Sequence, residues 1–157
     1  MAKLSAGILV VRNLSTDPEF LLVHPGGPLW KSRDAGAWSI PKGEYLLGED
    51  PLEAALREFG EELGVSVPDG LLLSLGTIRQ AGGKQVSAWS VVGDVDTALV
   101  VSNSFEMQWP PKSGRMQQFP EIDRAEFFSL SAATDKLLAA QIPFLERALA
   151  TLRTPPL

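Results

Sequence analysis

Residues 43–65 read GEYLLGEDPLEAALREFGEELGV, and this segment predicts a helix whose two ends are both marked. Asp50 is a favourable N-cap residue and Pro51 suits the first helical position, where no backbone N–H is needed. Gly64 can end the helix in a left-handed conformation. We therefore predict a helix from Pro51 to Leu63.

One side of this predicted helix is acidic. At 100° per residue, Glu58, Glu61 and Glu62 share one face, and the opposite face is apolar. The apolar positions are Leu52, Leu56, Phe59 and Leu63. Like charges three and four residues apart repel by a few tenths of a kcal/mol per pair. The acidic face is therefore either a solvated surface or a site for a hard divalent cation such as Mg²⁺, which prefers carboxylate oxygens.

Composition limits the classes of protein to consider. The chain has 157 residues, 19 acidic against 14 basic side chains, a net charge of -5 and no cysteine. This length fits one domain, which we assign to residues 1–153, with 154–157 as a C-terminal tail. Without cysteine there is no disulfide scaffold, thiolate zinc site or cysteine nucleophile. The excess of acidic over basic side chains argues against a nucleic-acid polymer as partner. No apolar run reaches the roughly 18 residues of a membrane span, and we expect a cytoplasmic protein.

Other segments predict an alternation of strands and helices. Apolar runs bounded by turn-formers predict strands at 7–12, 20–23, 71–80, 84–93 and 125–130. The predicted strands at 71–80 and 84–93 flank a short glycine turn, in which Gly83 would adopt a positive φ. Residues 102–121 are interpreted as a functional loop holding a short strand at 105–109. Residues 131–152 predict a helix with a break or a restart at Pro143.

The segment 43–65 also matches every defined position of the Nudix box. These positions are Gly43, Glu49, Arg57, Glu58, hydrophobic Phe59, Glu61, Glu62, Gly64 and hydrophobic Val65. The chain thus resembles the Nudix (MutT-like) hydrolases. The resemblance implies an α/β protein with the Nudix α/β/α sandwich, in which a mixed sheet lies between helices. It also implies hydrolysis of a diphosphate linkage in a nucleoside diphosphate joined to another moiety.

The same resemblance implies roles for individual residues. Glu58, Glu61, Glu62 and the backbone carbonyl of Lys42 are implied ligands of Mg²⁺ or Mn²⁺. Arg57 is implied to orient a catalytic glutamate, with Glu49 as its partner, because a bidentate arginine holds a carboxylate more rigidly than a lysine. Glu58 is the first candidate for the base and Glu121, which precedes an aromatic strand, is the second. Gly43, Glu49 and Gly64 are implied structural supports.

Substrate contacts are expected on the segments that flank the box. Lys42 ends the segment from Trp38 to Gly43, WSIPKG, which is similar to that of dinucleoside polyphosphate hydrolases and some nucleoside triphosphate pyrophosphatases. Trp30 and Trp109 are loop aromatics that could stack on a base. The cations that could meet a polyphosphate are Lys42, Lys31, Arg33, Lys112 and Arg115.

Four further residues are considered for structural roles. Trp38 and Trp89 are predicted core residues, and His24 is interpreted as a structural histidine, with substrate contact as the alternative. Gly60 lies inside the helix, where glycine costs about 1 kcal/mol relative to alanine. It could admit the close approach of another segment.

Three functions remain open from the sequence. The first is a Mg²⁺-dependent hydrolase of dinucleoside polyphosphates of the diadenosine tetraphosphate type. The second is a pyrophosphohydrolase of nucleoside triphosphates, including oxidised ones. The third is a Nudix-fold sensor that binds a nucleotide without cleaving it, which the full set of box carboxylates disfavours. A homodimer is one possible oligomeric state.

Overall fold

The computed structural model describes residues 3–153, so the predicted tail at 154–157 lies outside the described residues. The strands within this range are β1 (Leu4–Arg12), β2 (Glu19–Pro25), β3 (Lys42–Tyr45), β4 (Leu73–Arg79), β5 (Gln85–Val92), β6 (Ser104–Gln108), β7 (Met116–Pro120) and β8 (Ile122–Ser129). The α-helices are α1 (Pro51–Leu63), α2 (Leu130–Lys136) and α3 (Pro143–Arg153), with short 3₁₀ turns at Ala81–Gly83, Thr97–Leu99 and Ala139–Gln141.

Strand β1 lies at the centre of a mixed sheet. The strand order is β4-β5-β1-β2-β8, and β3 pairs with the first residues of β1. The β1–β5 pair is parallel, whereas β1 pairs antiparallel with β2 and β3. β6 and β7 form a separate two-stranded sheet.

The sheet has an apolar core on each face because successive residues of β1 point to opposite sides. Ile8 and Val10 belong to the core under α1, together with Phe59 of that helix. Leu9 and Val11 belong to the core under α2 and α3. The architecture is thus the predicted α/β/α sandwich with a mixed sheet between helices.

Helix α1 begins and ends where the sequence predicts. The Asp50 carboxylate accepts a hydrogen bond from the backbone N–H of Glu53 at 3.0 Å. Gly64 has φ +68°, and its N–H donates to the Gly60 carbonyl at 2.8 Å. The two caps thus set the ends of α1 at Pro51 and Leu63.

Three elements differ from the predictions. β3 was not foreseen, since its four residues have no apolar alternation and are held by pairing with β1. The predicted loop at 102–121 is wrong in part, because β6 and β7 pair as a hairpin with Phe105 opposite Phe119. The restart predicted at Pro143 is confirmed, since Pro143 starts α3, but the interruption is longer than predicted because residues 137–142 separate the two helices.

Membrane insertion through a helix has no candidate in the described range. Among residues 3–153, no helix is both long enough and apolar enough to cross a bilayer.

Candidate active site

Gly43 brings strand β3 into direct contact with the acidic face of α1. A Cβ atom built on Gly43 would lie 2.7 Å from Cγ of Glu58, and closer still to the carboxylate carbon and Oε2. Real non-bonded carbon atoms rest about 3.5–4.0 Å apart. Only glycine therefore lets the Glu58 carboxylate lie against this strand.

Arg57 ties together carboxylates from the helix and from the segment before it. Its Nη1 donates to Glu49 Oε2 at 2.5 Å and its Nη2 to Glu58 Oε1 at 3.1 Å. Glu49 is itself held by the backbone N–H of Leu46, which donates to Oε1 at 2.9 Å. Hydrogen bonds from Arg57 and Leu46 lower the pKa of Glu49, the Leu46 bond contributing most. The described geometry agrees with the pairing that the box implies for Arg57.

Glu62 is half-buried and hydrogen-bonded to the backbone of β3. Its Oε2 accepts a hydrogen bond from the backbone N–H of Lys42 at 3.0 Å. Burial raises the pKa of Glu62 to about 8, and the nearby carboxylates of Glu58 and Glu121 add to the rise. Burial also lowers the pKa of Lys42 to about 8, helped by the ammonium group of Lys84. Burial therefore disfavours the charged forms of both Glu62 and Lys42.

Glu121 reaches this site through a close backbone contact. The Gly26 N–H donates to the Glu121 carbonyl at 2.9 Å, and the Glu121 N–H donates to the Asn103 carbonyl at 2.7 Å. A Cβ on Gly26 would lie 2.9 Å from the carbonyl carbon of Pro120. Gly26 thus allows the β7–β8 junction to bring Glu121 beside the end of β2.

Two of the box and loop carboxylates share a pocket with a cation and an aromatic ring. A cavity of about 230 Å³, which we call the carboxylate pocket, has Glu62, Glu121, Lys42 and Trp30 in its lining. The other lining residues are Val23, Pro25, Ala37, Ser39, Ile122 and Leu138. Glu58 and Glu61 are outside this lining, and Glu61 is the more exposed of the two, at 53% against 19% of the side chain.

The predicted loop cations and Trp109 are not part of this lining. Lys31 and Arg33 lie exposed on the loop after Trp30, and the Arg33 guanidinium stands 5.4 Å from the Trp30 ring centre. Lys112 and Arg115 are exposed at the tip of the β6–β7 hairpin, next to half-buried Trp109. Their predicted contacts with substrate stay predictions.

Local contacts explain His24 and Trp38 but not Gly60. His24 is fully buried, with Nδ1 2.7 Å from Asp123 Oδ1 and Nε2 2.6 Å from the Arg33 carbonyl, in agreement with a structural role. Trp38 is buried as predicted, while Trp89 packs only partly buried against the α1 core. The close approach at Gly60 was wrong, since no atom lies within 4 Å of a Cβ built there.

A second, apolar cavity adjoins the carboxylate pocket. This apolar compartment, of about 270 Å³, is lined by Pro25, Gly26, Gly27, Leu29, Trp30, Phe105, Met107 and Glu121. Three of these residues line both cavities, namely Pro25, Trp30 and Glu121. Sequence reasoning missed Leu29, Phe105 and Met107. The alternation of Phe105, Met107 and Trp109 was the available signal, because alternate residues of a strand share a face.

The donor set suits a hard divalent cation. Within residues 3–153, no three acidic or histidine side chains are gathered closely enough to hold a metal ion unaided. Mg²⁺ needs no such cage, since it usually binds through one or two carboxylates together with waters and substrate phosphates. Glu58 and Glu62 are the carboxylates that would supply such oxygens, and a bound cation would oppose the effect of burial, which raises the pKa of Glu62.

A family model and several solved structures match this chain. The family model described as NUDIX domain matches residues 1–148. No curated protein is a significant match to the sequence. Among solved structures, the Ap4A hydrolase of C. elegans in a binary complex has a TM-score of 0.64 at 23% identity, with 94% of this chain and 97% of that chain covered.

Two further structures share the fold at low identity. The NUDIX domain of Shewanella oneidensis NrtR, complexed with ADP ribose, has a TM-score of 0.62 at 18% identity, with 97% of this chain and 89% of that chain covered. The MutT protein of Methanosarcina mazei Go1 has a TM-score of 0.58 at 23% identity, with 98% and 96% covered. Nudix hydrolases generally use a divalent metal. With a family model covering nearly its whole length and the box residues gathered around α1 and β3, the chain belongs to the Nudix hydrolases, a family of pyrophosphohydrolases.

Proposed function

We propose that the chain is a Mg²⁺-dependent hydrolase that cleaves a diphosphate linkage in a dinucleoside polyphosphate. The observation that carries the proposal is the carboxylate pocket, in which Glu62, Glu121 and Lys42 stand beside the Trp30 ring. Such a cavity suits a polyphosphate bound through a divalent cation, with a carboxylate close by to act as the general base. The similarity of segment WSIPKG to dinucleoside polyphosphate hydrolases supports the substrate class, and the fold of C. elegans Ap4A hydrolase is compatible with it.

The protein groups would divide the work as follows. Glu58 and Glu62 would hold Mg²⁺, which when bound neutralises phosphate charge and lowers the pKa of water. Arg57 keeps the Glu58 carboxylate in place through its 3.1 Å hydrogen bond. Glu58, with Glu121 as second candidate, would accept a proton from the attacking water. Lys42 would meet a phosphate oxygen as a point charge.

A nucleoside triphosphate pyrophosphohydrolase is the second candidate. The carboxylate pocket and the apolar compartment adjoin at Trp30, so one phosphate chain and one base also fit the pair of cavities. The two candidates differ in products. A dinucleoside polyphosphate yields two nucleotides, whereas a triphosphate yields a monophosphate and pyrophosphate.

Product analysis tests the proposal directly. The purified protein, with Mg²⁺ or Mn²⁺, is incubated with dinucleoside polyphosphates, nucleoside triphosphates and nucleotide sugars, and products are separated by anion exchange. We expect the highest kcat/KM on a dinucleoside polyphosphate and loss of turnover in Glu62→Gln. A monophosphate and pyrophosphate as the main products would favour the second candidate. Tight nucleotide binding without cleavage of any compound would refute both in favour of a sensor.

A further inference from the structure

The apolar compartment is walled by the β6–β7 hairpin and the loop after β2. Phe105 packs directly on Gly27, where a Cβ would lie 2.8 Å from the ring carbon Cζ. Gly27 also has φ +95°, a conformation that favours glycine. Met107, two residues further along β6, lies on the same face of the strand as Phe105. The hairpin therefore contributes an aromatic ring and a thioether to a cavity that begins at Trp30.

We propose that the apolar compartment holds the base of the substrate and accepts different bases with little preference. This inference rests on the proposed function, since a nucleotide whose phosphates reach the carboxylate pocket has the adjoining compartment open to its base. Ligand pockets usually measure about 300–1,000 Å³. At about 270 Å³ the compartment suits one planar ring system rather than a long apolar chain. Stacking of a base on aromatic side chains is tolerant of its identity because every base has a π-face.

The side chains of the compartment offer few groups that read one base against another. Base identity is read by hydrogen bonds to the base edges, and a site built with such groups discriminates strongly. Among the lining side chains, only the Glu121 carboxylate and the Trp30 indole N–H can hydrogen-bond to a base edge, and both residues also line the carboxylate pocket. Glu106 and Gln108 alternate with the lining residues of β6 and are exposed.

Two backbone donors of the facing loop are engaged within the protein. The N–H of Gly26 donates to the Glu121 carbonyl at 2.9 Å, and the N–H of Trp30 donates to the Gly27 carbonyl at 3.3 Å. Both donors are therefore satisfied within the protein before any ligand binds. What the compartment offers a base is chiefly ring surface from Trp30 and Phe105 and the thioether of Met107.

Binding measurements separate recognition of the base from recognition of the phosphates. Dissociation constants are measured by calorimetry with Mg²⁺ on the unmodified protein, and the nucleotides are supplied as non-hydrolysable methylene analogues so that no turnover occurs. The ligands are the triphosphates of adenosine, guanosine and uridine, and inorganic tripolyphosphate. We expect the three nucleotides to bind within about tenfold of one another, and tripolyphosphate to bind at least about tenfold more weakly.

Variants of the hairpin test which residues carry this recognition. Phe105→Ala and Met107→Ala should each weaken all three nucleotides by a similar factor, on the order of tenfold for the ring, and leave tripolyphosphate unchanged. Met116→Ala is the matched control, since Met116 lies on the partner strand, is 60% exposed and is outside the lining. Phe105→Leu keeps most of the volume and removes the ring, so that a folding defect in the alanine variant is recognised.

The outcomes distinguish this inference from the proposed function. A preference above about 100-fold for one base would overturn the inference, because it would mean that hydrogen bonds to the base edge, and not stacking, dominate recognition. So would equal weakening of tripolyphosphate, or no difference between Met107→Ala and Met116→Ala. If the nucleotides bind in the expected pattern while the unmodified protein cleaves none of its candidate substrates, the proposed function fails and the base assignment stands.

Discussion

Gly43→Ala is expected to disable the candidate site by displacing Glu58. The added Cβ would lie 2.7 Å from Glu58 Cγ and closer still to the carboxylate. Since carbon atoms rest about 3.5–4.0 Å apart, the Glu58 side chain must retreat by at least about 1 Å. The neighbour on the other side is Arg57, whose 3.1 Å hydrogen bond to Glu58 Oε1 would be disturbed by the same movement.

The size of the effect follows from that displacement. A misplacement of about 1 Å in a catalytic arrangement can cost about 100-fold in rate. We therefore expect kcat of Gly43→Ala to fall about 100-fold on the best substrate found in the product analysis. Steady-state hydrolysis measures this loss, and thermal unfolding in parallel reports whether the core has survived.

Gly60→Ala is the matched control within the same motif. A Cβ at Gly60 has no atom within 4 Å, and glycine inside a helix costs about 1 kcal/mol relative to alanine. We expect Gly60→Ala to keep its activity and to gain about 1 kcal/mol of stability. Activity of Gly43→Ala within about twofold of the unmodified protein would refute the reasoning, because Glu58 would then not need its place against β3.

Three other changes test separate parts of the site. Arg57→Lys should lower kcat at least about tenfold, since one ammonium group cannot hold both Glu49 and Glu58. Its unfolding midpoint should barely move, because such exposed pairs contribute about 0–1 kcal/mol. Steady-state kinetics and thermal unfolding measure the two effects, and an unchanged kcat would contradict the prediction. The pKa of Glu62 is about 4.5 in the unfolded chain and about 8 in the folded protein. Without metal, the free energy of unfolding therefore decreases as the pH rises between these two values, because only the unfolded chain releases the proton readily. Glu62→Gln should therefore be inactive yet more stable than the unmodified protein at pH 8–9 in EDTA, by thermal unfolding; equal or lower stability would count against it. Asp50→Ala should lower the free energy of unfolding by about 1 kcal/mol in urea titrations through loss of the N-cap bond to Glu53, and no change would show that the cap is dispensable.

Local signals accounted for α1 and for the strands with apolar runs. Asp50, Pro51 and Gly64 act within a few residues of themselves, so the ends of α1 could be predicted from the sequence. β1 and β2 are buried on both faces and appear as continuous apolar runs. β3 has no such run and exists because β1 offers it a partner, which no window of sequence contains.

The box motif alone identified the family and the carboxylates of α1, because their positions along one helix follow from its period. Only the tertiary structure brings Glu121, which is 59 residues from Glu62, into the same pocket lining, through the contact between Gly26 and the β7–β8 junction. The wall formed by Phe105 and Met107 likewise depends on the docking of the β6–β7 hairpin against Gly27. The sequence thus determines which functional side chains each helix or strand carries. Whether these side chains come together depends on long-range packing, and on glycines such as Gly26 and Gly27 that allow two segments to lie in direct contact.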